Sequence, residues 1–359
     1  MARIWVDILT PKQVYFFAEL IRRLEAAGHE VIRTTRRYRE VNELLELKRL
    51  EAIVIGEHGG RTLEGKLEAS TKRIFELTKI VAEREPDVAI SYSSPEAART
   101  AFGLGIPHIC VSDSPHAEAV CRLTIPLSKR LITPKIIPKN VWRKFGAGPQ
   151  MIVQYDALDP VVWIKALSPD PKVLEDLNLD RTKPIIVFRH EEYFASYLLG
   201  TLNDKVPVLI PVIMDLVRRL EGAAQFVALT RYDRKVPAVP TALSRHLITP
   251  KAAVDGPSLL SYTSLFIGAG GTMTTEAALL GVPTISCYPG EPTLVEQHLI
   301  KHGLVNRITD PKQIVEKAIQ ILRLIDVNRK IQREKARTLT AKMEDPIEVI
   351  INTLVQYIQ

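Results

Sequence analysis

Two stretches of this chain share one order of parts, and that order admits few folds. Leu265 to Cys287 reads as an apolar strand, a glycine turn, a helix, a Gly281-Val282-Pro283 stop and a second strand. The stretch beginning at Val88 repeats it without gaps, with Gly105 meeting Gly281. A strand followed by a helix and another strand, joined by links this short, closes a parallel pair through a right-handed crossover. Two similarly built halves are therefore expected. In the later copy Gly268, Gly270 and Gly271 free the backbone to turn sharply near a ligand. The helix from Thr272 aims unpaired N–H groups and the positive end of its dipole at an anion. Glu276, one turn further, is placed to accept hydrogen bonds from vicinal hydroxyls such as those of a ribose. A glycine turn after a strand also occurs as a plain connection with no ligand. The earlier copy has Ser94 and Pro95 for Gly270 and Gly271, and Thr100 for Glu276. It lacks both the flexible turn and the carboxylate, so nucleotide binding is expected in the second half.

The rest of the chain keeps the same alternation. Ile4 to Leu9, Ala52 to Ile55, Val88 to Ser91 and His108 to Val111 read as strands, with helices over Gln13 to Ala27 and Leu63 to Glu83. Pro134 to Asp170, rich in Pro, Gly and aromatic residues, breaks the pattern, and the crossing between domains is placed within or just after it. Strands resume at Pro184 to Phe188 and Gln225 to Leu229. The fold class is thus α/β, with two Rossmann-like, doubly wound parallel-sheet domains. The expected boundaries are residues 1–167 for the N-terminal, acceptor-side domain, 168–343 for the C-terminal, nucleotide-side domain, and 344–359 for a final amphipathic helix.

Composition narrows the function. A chain of 359 residues, 46% hydrophobic and 25% charged, is long enough for two cores. The longest apolar run, Val206 to Val217, contains Pro207 and Pro211 and is cut by Asp215, so it is no membrane span. Arg3 and Asp7 flank a short apolar strand, which is wrong for a secretory signal. Cys110, Cys121 and Cys287 have no metal-ligand spacing, and a reducing cytoplasm is the expected location. The formal charge of +7 arises from Lys and Arg interleaved with Glu. The densest basic run, Arg33 to Arg39, is placed after a strand and has no aromatic interleaving, so no nucleic-acid partner is expected. A phosphate-rich small ligand accounts for the excess, as does peripheral contact of the N-terminal domain with an anionic membrane.

In parallel sheets ligands collect beyond the carboxyl ends of the strands. The first half brings there Lys12, His58, Ser93, Ser94, Asp113 and His116, and the second brings Arg189, Thr230, the Gly270 loop, Glu291 and Gln297. Arg189 suits a diphosphate, since guanidinium offers forked donors, but also a surface pair with Glu191 or Glu192. His58 reads as a general base or as a structural loop histidine. Asp113 with His116 could deprotonate a hydroxyl, or Asp113 could cap the helix carrying Glu118. Lys12 touches phosphate or is merely exposed. There is no P-loop, no nucleophile elbow, no His-Glu-x-x-His and no Gly-x-Gly-x-x-Gly after the first strand.

These residues resemble the GT-B superfamily, which contains nucleotide-sugar glycosyltransferases and UDP-N-acetylglucosamine 2-epimerases. The likeness rests on Gly28-His29-Glu30-Val31 and on Gly270-Gly271-Thr272 with Glu276 five residues before Gly281. The chain is most similar to an uncharacterised, largely archaeal family of GT-B-like proteins, in Asp7 to Lys12, Gly56 to Ser70 and Ile267 to Gly290. The resemblance implies two domains facing across a cleft, a C-terminal helix crossing back to the first, and closure that assembles the site. It implies a nucleotide-diphospho-sugar substrate held by Arg189, Gly270, Gly271, Thr272 and Glu276. Lys12, Glu291 and Gln297 would touch substrate, and a base among His58, Asp113 and His116 would activate an acceptor, glycan or lipid-linked. No cofactor and no metal are implied. A 2-epimerase or nucleotide-sugar hydrolase is the alternative, and a non-catalytic nucleotide-sugar-binding protein the third. Two departures separate the chain from both enzyme families. Ser91 to Ser94 stand where the epimerases have an aspartate, and Thr10-Pro11-Lys12 replaces the transferases' glycine-rich first loop.

Overall fold

The computed structural model describes residues 1–60, 62–190, 208–230 and 241–358. Among these the chain divides into two compact units, one comprising Met1–Trp163 with the segment from Glu344 onward, the other running from Ile164 to Met343.

The first unit opens with strand β1 (Arg3–Ile8), helix α1 (Pro11–Ala26), β2 (Glu30–Arg37), α2 (Arg39–Leu47), β3 (Ile53–Glu57) and α3 (Leu63–Arg84). It continues with β4 (Val88–Ser91), α4 (Pro95–Gly103), β5 (His108–Val111), α5 (Glu118–Thr124), β6 (Arg130–Pro134), α6 (Lys139–Arg143), β7 (Ile152–Tyr155) and α7 (Val161–Ile164), the last crossing the unit boundary. Its seven strands pair in parallel in the order β3-β2-β1-β4-β5-β6-β7. β1 and β4 are fully covered by helices, and so their inward residues Ile4, Val6, Val88 and Ile90 are buried. The order reverses between β1 and β4, which makes the carboxyl ends of those strands the natural ligand position of this sheet.

The second unit holds α8 (Lys172–Asp176), β8 (Ile185–Arg189), α9 (Leu209–Arg219), β9 (Gln225–Leu229), α10 (Thr241–Ser244), β10 (Leu247–Ile248) and α11 (Gly256–Tyr262). After it come β11 (Leu265–Gly268), α12 (Thr272–Leu279), β12 (Thr284–Ser286), α13 (Leu294–Lys301), β13 (Asn306–Arg307), α14 (Pro311–Arg323) and α15 (Ile325–Thr340). Six parallel strands run β10-β9-β8-β11-β12-β13, with the reversal between β8 and β11. Phe188, Ile213, Phe226, Ile267 and Ile314 pack on one face of this sheet, and Val187, Leu260, Phe266 and Ala277 on the other.

The last helix, α16 (Pro346–Leu354), packs on α1 and β7 and so belongs to the first unit. Arg23 of α1 pairs with Asp345 at its N-cap at 2.6 Å.

Two expectations are corrected. The segment from Pro134 to Asp170 does not end the alternation, because β6 and β7 extend the first sheet at its edge. The basic run does not follow a strand: Arg33, Arg36 and Arg37 lie within β2.

Candidate functional site

In the second unit the glycine turn sits at the sheet's reversal. Gly268 ends β11 opposite Arg189, the last residue of β8, and the next residue, Ala269, donates its N–H to the Arg189 carbonyl at 3.3 Å. Gly270 and Gly271 both hold left-handed backbone, φ 81° and 82°, as a side chain rarely does. A Cβ on Gly270 would also lie 3.4 Å from the Tyr288 ring. Gly271 is the N-cap of α12, and among the described residues no side chain caps that helix. No described side chain takes the N–H groups of Thr272 and its neighbours, as a ligand or water could. Just inside the helix, the buried Thr274 hydroxyl has no hydrogen-bond partner among the described residues. Glu276 follows one turn on and is 3% exposed.

The matching helix of the first unit is built the opposite way. Ser94 caps α4 by accepting the Ala97 N–H at 3.1 Å, and its hydroxyl donates to Asp7 at 2.7 Å. A helix start that its own side chain fills has no vacancy for an anion.

Arg189 donates from Nη1 to the Thr230 carbonyl at 3.2 Å, which ties it to the end of β9. Glu191 and Glu192, its alternative partners, lie outside the described residues, as do Arg231 and Tyr232. Beside it His190 has a buried Nε2 without a partner, and burial first, then the charge of Arg189, hold its pKa down at about 4. Glu291 and Gln297 are both exposed, and the Gln297 amide turns back to the Pro292 carbonyl at 2.8 Å. A second buried acid besides Glu276 is Glu296, whose Oε1 has no partner among the described residues and whose pKa is raised by burial. Sequence reasoning missed it, since Thr293 followed three residues later by Glu296 reads as a helix-capping pair. Thr293 does accept the Glu296 N–H, at 3.2 Å.

In the first unit Lys12, Asp113 and His116 come together, while His58 stands apart in the loop after β3. Lys12, in the first turn of α1, reaches Asp113 at 2.5 Å, Asp159 at 2.6 Å and the Tyr92 hydroxyl at 2.7 Å. It is not exposed, having only 14% of its side chain accessible, and both carboxylates engage it. Asp159, almost wholly buried, also accepts from the hydroxyls of Tyr92 and Tyr155. Burial acts to raise the Asp113 carboxyl, but Lys12 outweighs it and holds the group at about 2. Asp159 goes the other way, raised by burial and by the nearby charge of Asp113. Asp113 does not cap the helix carrying Glu118: the N-cap there is Ala117, with no side-chain bond. His116, exposed as a residue but partly desolvated at its ring, has its pKa lowered despite the charge of Asp113. Neutral imidazole beside a fixed carboxylate is a workable proton acceptor.

His58 is held differently. Its Nδ1 accepts the Gly60 N–H at 3.1 Å, so the ring proton resides on Nε2. Burial first, then the charges of Arg36 and Lys66, bring its pKa to about 4. Such a ring offers a donor at neutral pH. Among the described residues no three His, Cys, Asp or Glu side chains gather as a metal would require, and no helix is long and apolar enough to cross a membrane.

The fold recurs in proteins of known structure. UDP-GlcNAc 2-epimerase from Neisseria meningitidis, solved with UDP-GlcNAc, superposes with a TM-score of 0.72 over 99% of this chain and 100% of its own, at 17% identity. MnaA of S. aureus, in a co-structure with UDP, gives 0.76 over 99% and 97%, at 14% identity. The glycotransferase of kitacinnamycin gives 0.64 over 100% and 99%, at 14% identity. Both units thus have the parallel α/β architecture of GT-B glycosyltransferases and epimerases. In sequence, the uncharacterized protein MJ0665 of Methanocaldococcus jannaschii is 32% identical over 317 residues, 87% of this chain and 89% of that protein. A family model described as "Protein of unknown function (DUF354)" matches residues 2–359, and the chain belongs to that family.

Proposed function

We propose that the chain is a nucleotide-diphospho-sugar-dependent glycosyltransferase that works without a bound metal. The observation that carries this is the start of α12. Two left-handed glycines, a helix N-terminus with no side-chain cap and an orphaned Thr274 hydroxyl stand at the switch point of the sheet, beside Arg189. That arrangement suits a diphosphate, and Glu276, one turn further along α12, would accept from the ribose hydroxyls. Likeness to proteins solved with UDP and UDP-GlcNAc supports the reading. Helix amides and Arg189 would stabilise the charge that develops on the leaving diphosphate. In the first unit His116 would take the proton of an acceptor hydroxyl, with Asp113 steadying the imidazolium and Lys12 holding Asp113. Calorimetry of the intact chain with UDP is expected to show binding, weakened by about 1 to 3 kcal/mol in Glu276→Ala through lost hydrogen bonds. A flat titration of the unaltered protein removes the nucleotide, and equal affinity of the variant removes Glu276.

One observation favours a 2-epimerase or nucleotide-sugar hydrolase instead. Asp113, Asp159, Tyr92 and Tyr155 gather titratable groups around Lys12, as acid-base work on a sugar ring requires. Turnover of radiolabelled nucleotide sugar with no acceptor present would decide for it.

A further inference from the structure

Basic side chains come together from β2, from the loop after β3 and from the start of α3, at Arg36, His58 and Lys66. The ladder between β2 and β3 slips here: Thr35 pairs with Val54, but Arg37 pairs with Glu57. Bulges of this kind re-aim side chains. Gly56, in the bulge, is left-handed at φ 71°, and a Cβ there would lie 3.0 Å from the Arg73 side chain. Arg73 therefore lies against the bulge, its guanidinium on Asp7 at 2.6 Å and 3.1 Å. Arg36, two residues beyond Thr34 and on the same face of β2, comes up beside that pair. Its Nε is buried and has no hydrogen-bond partner among the described residues.

The loop after β3 completes the group. His58 is fixed by its N–H to the Arg37 carbonyl at 3.3 Å, by Gly60 on Nδ1, and by the Tyr38 ring at 5.4 Å. Gly59 is laid so closely on α3 that a Cβ would fall 2.5 Å from the Gly65 carbonyl oxygen and the Lys66 Cα. That contact brings Lys66 alongside. The basic groups crowd closely enough to affect one another: Arg36 lowers the pKa of both His58 and Lys66, each after burial. Glu96 faces Arg36 from α4, but it is also engaged by the Ser94 hydroxyl at 3.3 Å and by Arg73 at 3.9 Å. Glu96 and Asp7 offset part of the Arg36 charge, but neither gives its buried Nε an acceptor, and an oxyanion would recover the cost of that unmade bond.

We infer that Arg36, His58 and Lys66 form an anion site in the first unit that receives a phosphoryl group. Arg36 supplies Nε–H, His58 donates from Nε2, and Lys66 adds a point charge. The site itself stands on this geometry alone. Only the identity of its ligand, a phosphoryl-bearing acceptor, rests on the transferase reading.

Histidine-selective NMR of the full chain tests it with inorganic phosphate. The His58 ring resonances at neutral pH are expected to shift saturably, and its titration midpoint to rise by about one pH unit, as an opposite charge nearby requires. Sodium chloride at equal ionic strength should do neither. Lys66→Gln, on the partly exposed first turn of α3, should raise the His58 midpoint without phosphate and weaken the phosphate response. Arg36→Gln should do the same if it folds. An unmoved His58, an equal response to chloride, or an undiminished response in Lys66→Gln overturns the site. UDP as a second probe separates the two claims. UDP binding with His58 indifferent to phosphate leaves the nucleotide reading and removes this one. A phosphate response without UDP binding does the reverse.

Discussion

Asp7 shows how one buried residue holds several elements in place. It is fully buried near the end of β1 and accepts from Arg73 twice, from Thr34 at 2.6 Å and from Ser94 at 2.7 Å. Thr34 in turn takes the Trp5 indole N–H at 2.8 Å. Burial alone would raise the Asp7 carboxyl, yet the Arg73 charge and these donors hold it below the usual range. Arg73→Met should cost about 3 to 5 kcal/mol, because it leaves a buried carboxylate without its counter-charge. Urea unfolding measures this, and a loss under about 1 kcal/mol would show that Asp7 does not depend on Arg73. The sequence showed half of the pair. Asp7 stands out in an apolar strand, whereas Arg73 reads as one more charge on the solvated face of a long helix. Only the bulge at Gly56, which no local pattern announces, admits it. Asp159 was hidden for a similar reason, since its partners Lys12 and Tyr92 lie far along the chain.

At the level of elements, the sequence disclosed those that carry their own signals. The glycine turn, α12 and the Gly281 stop are local, and Gly281 is indeed left-handed at φ 71°. Its second duty was not legible: a Cβ there would fall 2.5 Å from the Arg333 Cα, so Gly281 also admits the close passage of α15. Strands β6 and β7, of five and four residues, were missed because each is too short to show a period and is flanked by Pro or Gly. Pairing of β6 with β5 and of β7 with β6 fixes them, and pairing is tertiary. The basic run was put outside β2 because charges argue against a strand, but Arg37 is exposed and Arg33 partly so, with Arg33 paired to Glu25 at 3.1 Å.

For the whole molecule, acidification should act in two stages. His58 and His108 are held near 4, below the ordinary 6.5, burial being the main cause in both. His108 is fully buried between the hydroxyls of Ser91 at 2.9 Å and Ser128 at 2.8 Å. A pKa depressed on folding contributes stability above the unfolded value and loses it as pH falls through the folded one. The histidine contribution is therefore complete above 6.5 and is lost as pH falls towards 4. Asp113, at about 2 against 3.8 unfolded, loses its share below that. Urea midpoints followed from pH 7 to about 2 should decline through both windows, and His108→Gln should flatten the first. A midpoint indifferent to pH between 7 and 4 would contradict the buried neutral histidines. Amide hydrogen exchange with and without UDP tests most directly whether the start of α12 holds a diphosphate. UDP should protect the N–H groups from Gly270 to Thr274 above any others in the second unit, and UDP binding that leaves those amides unprotected would contradict the account.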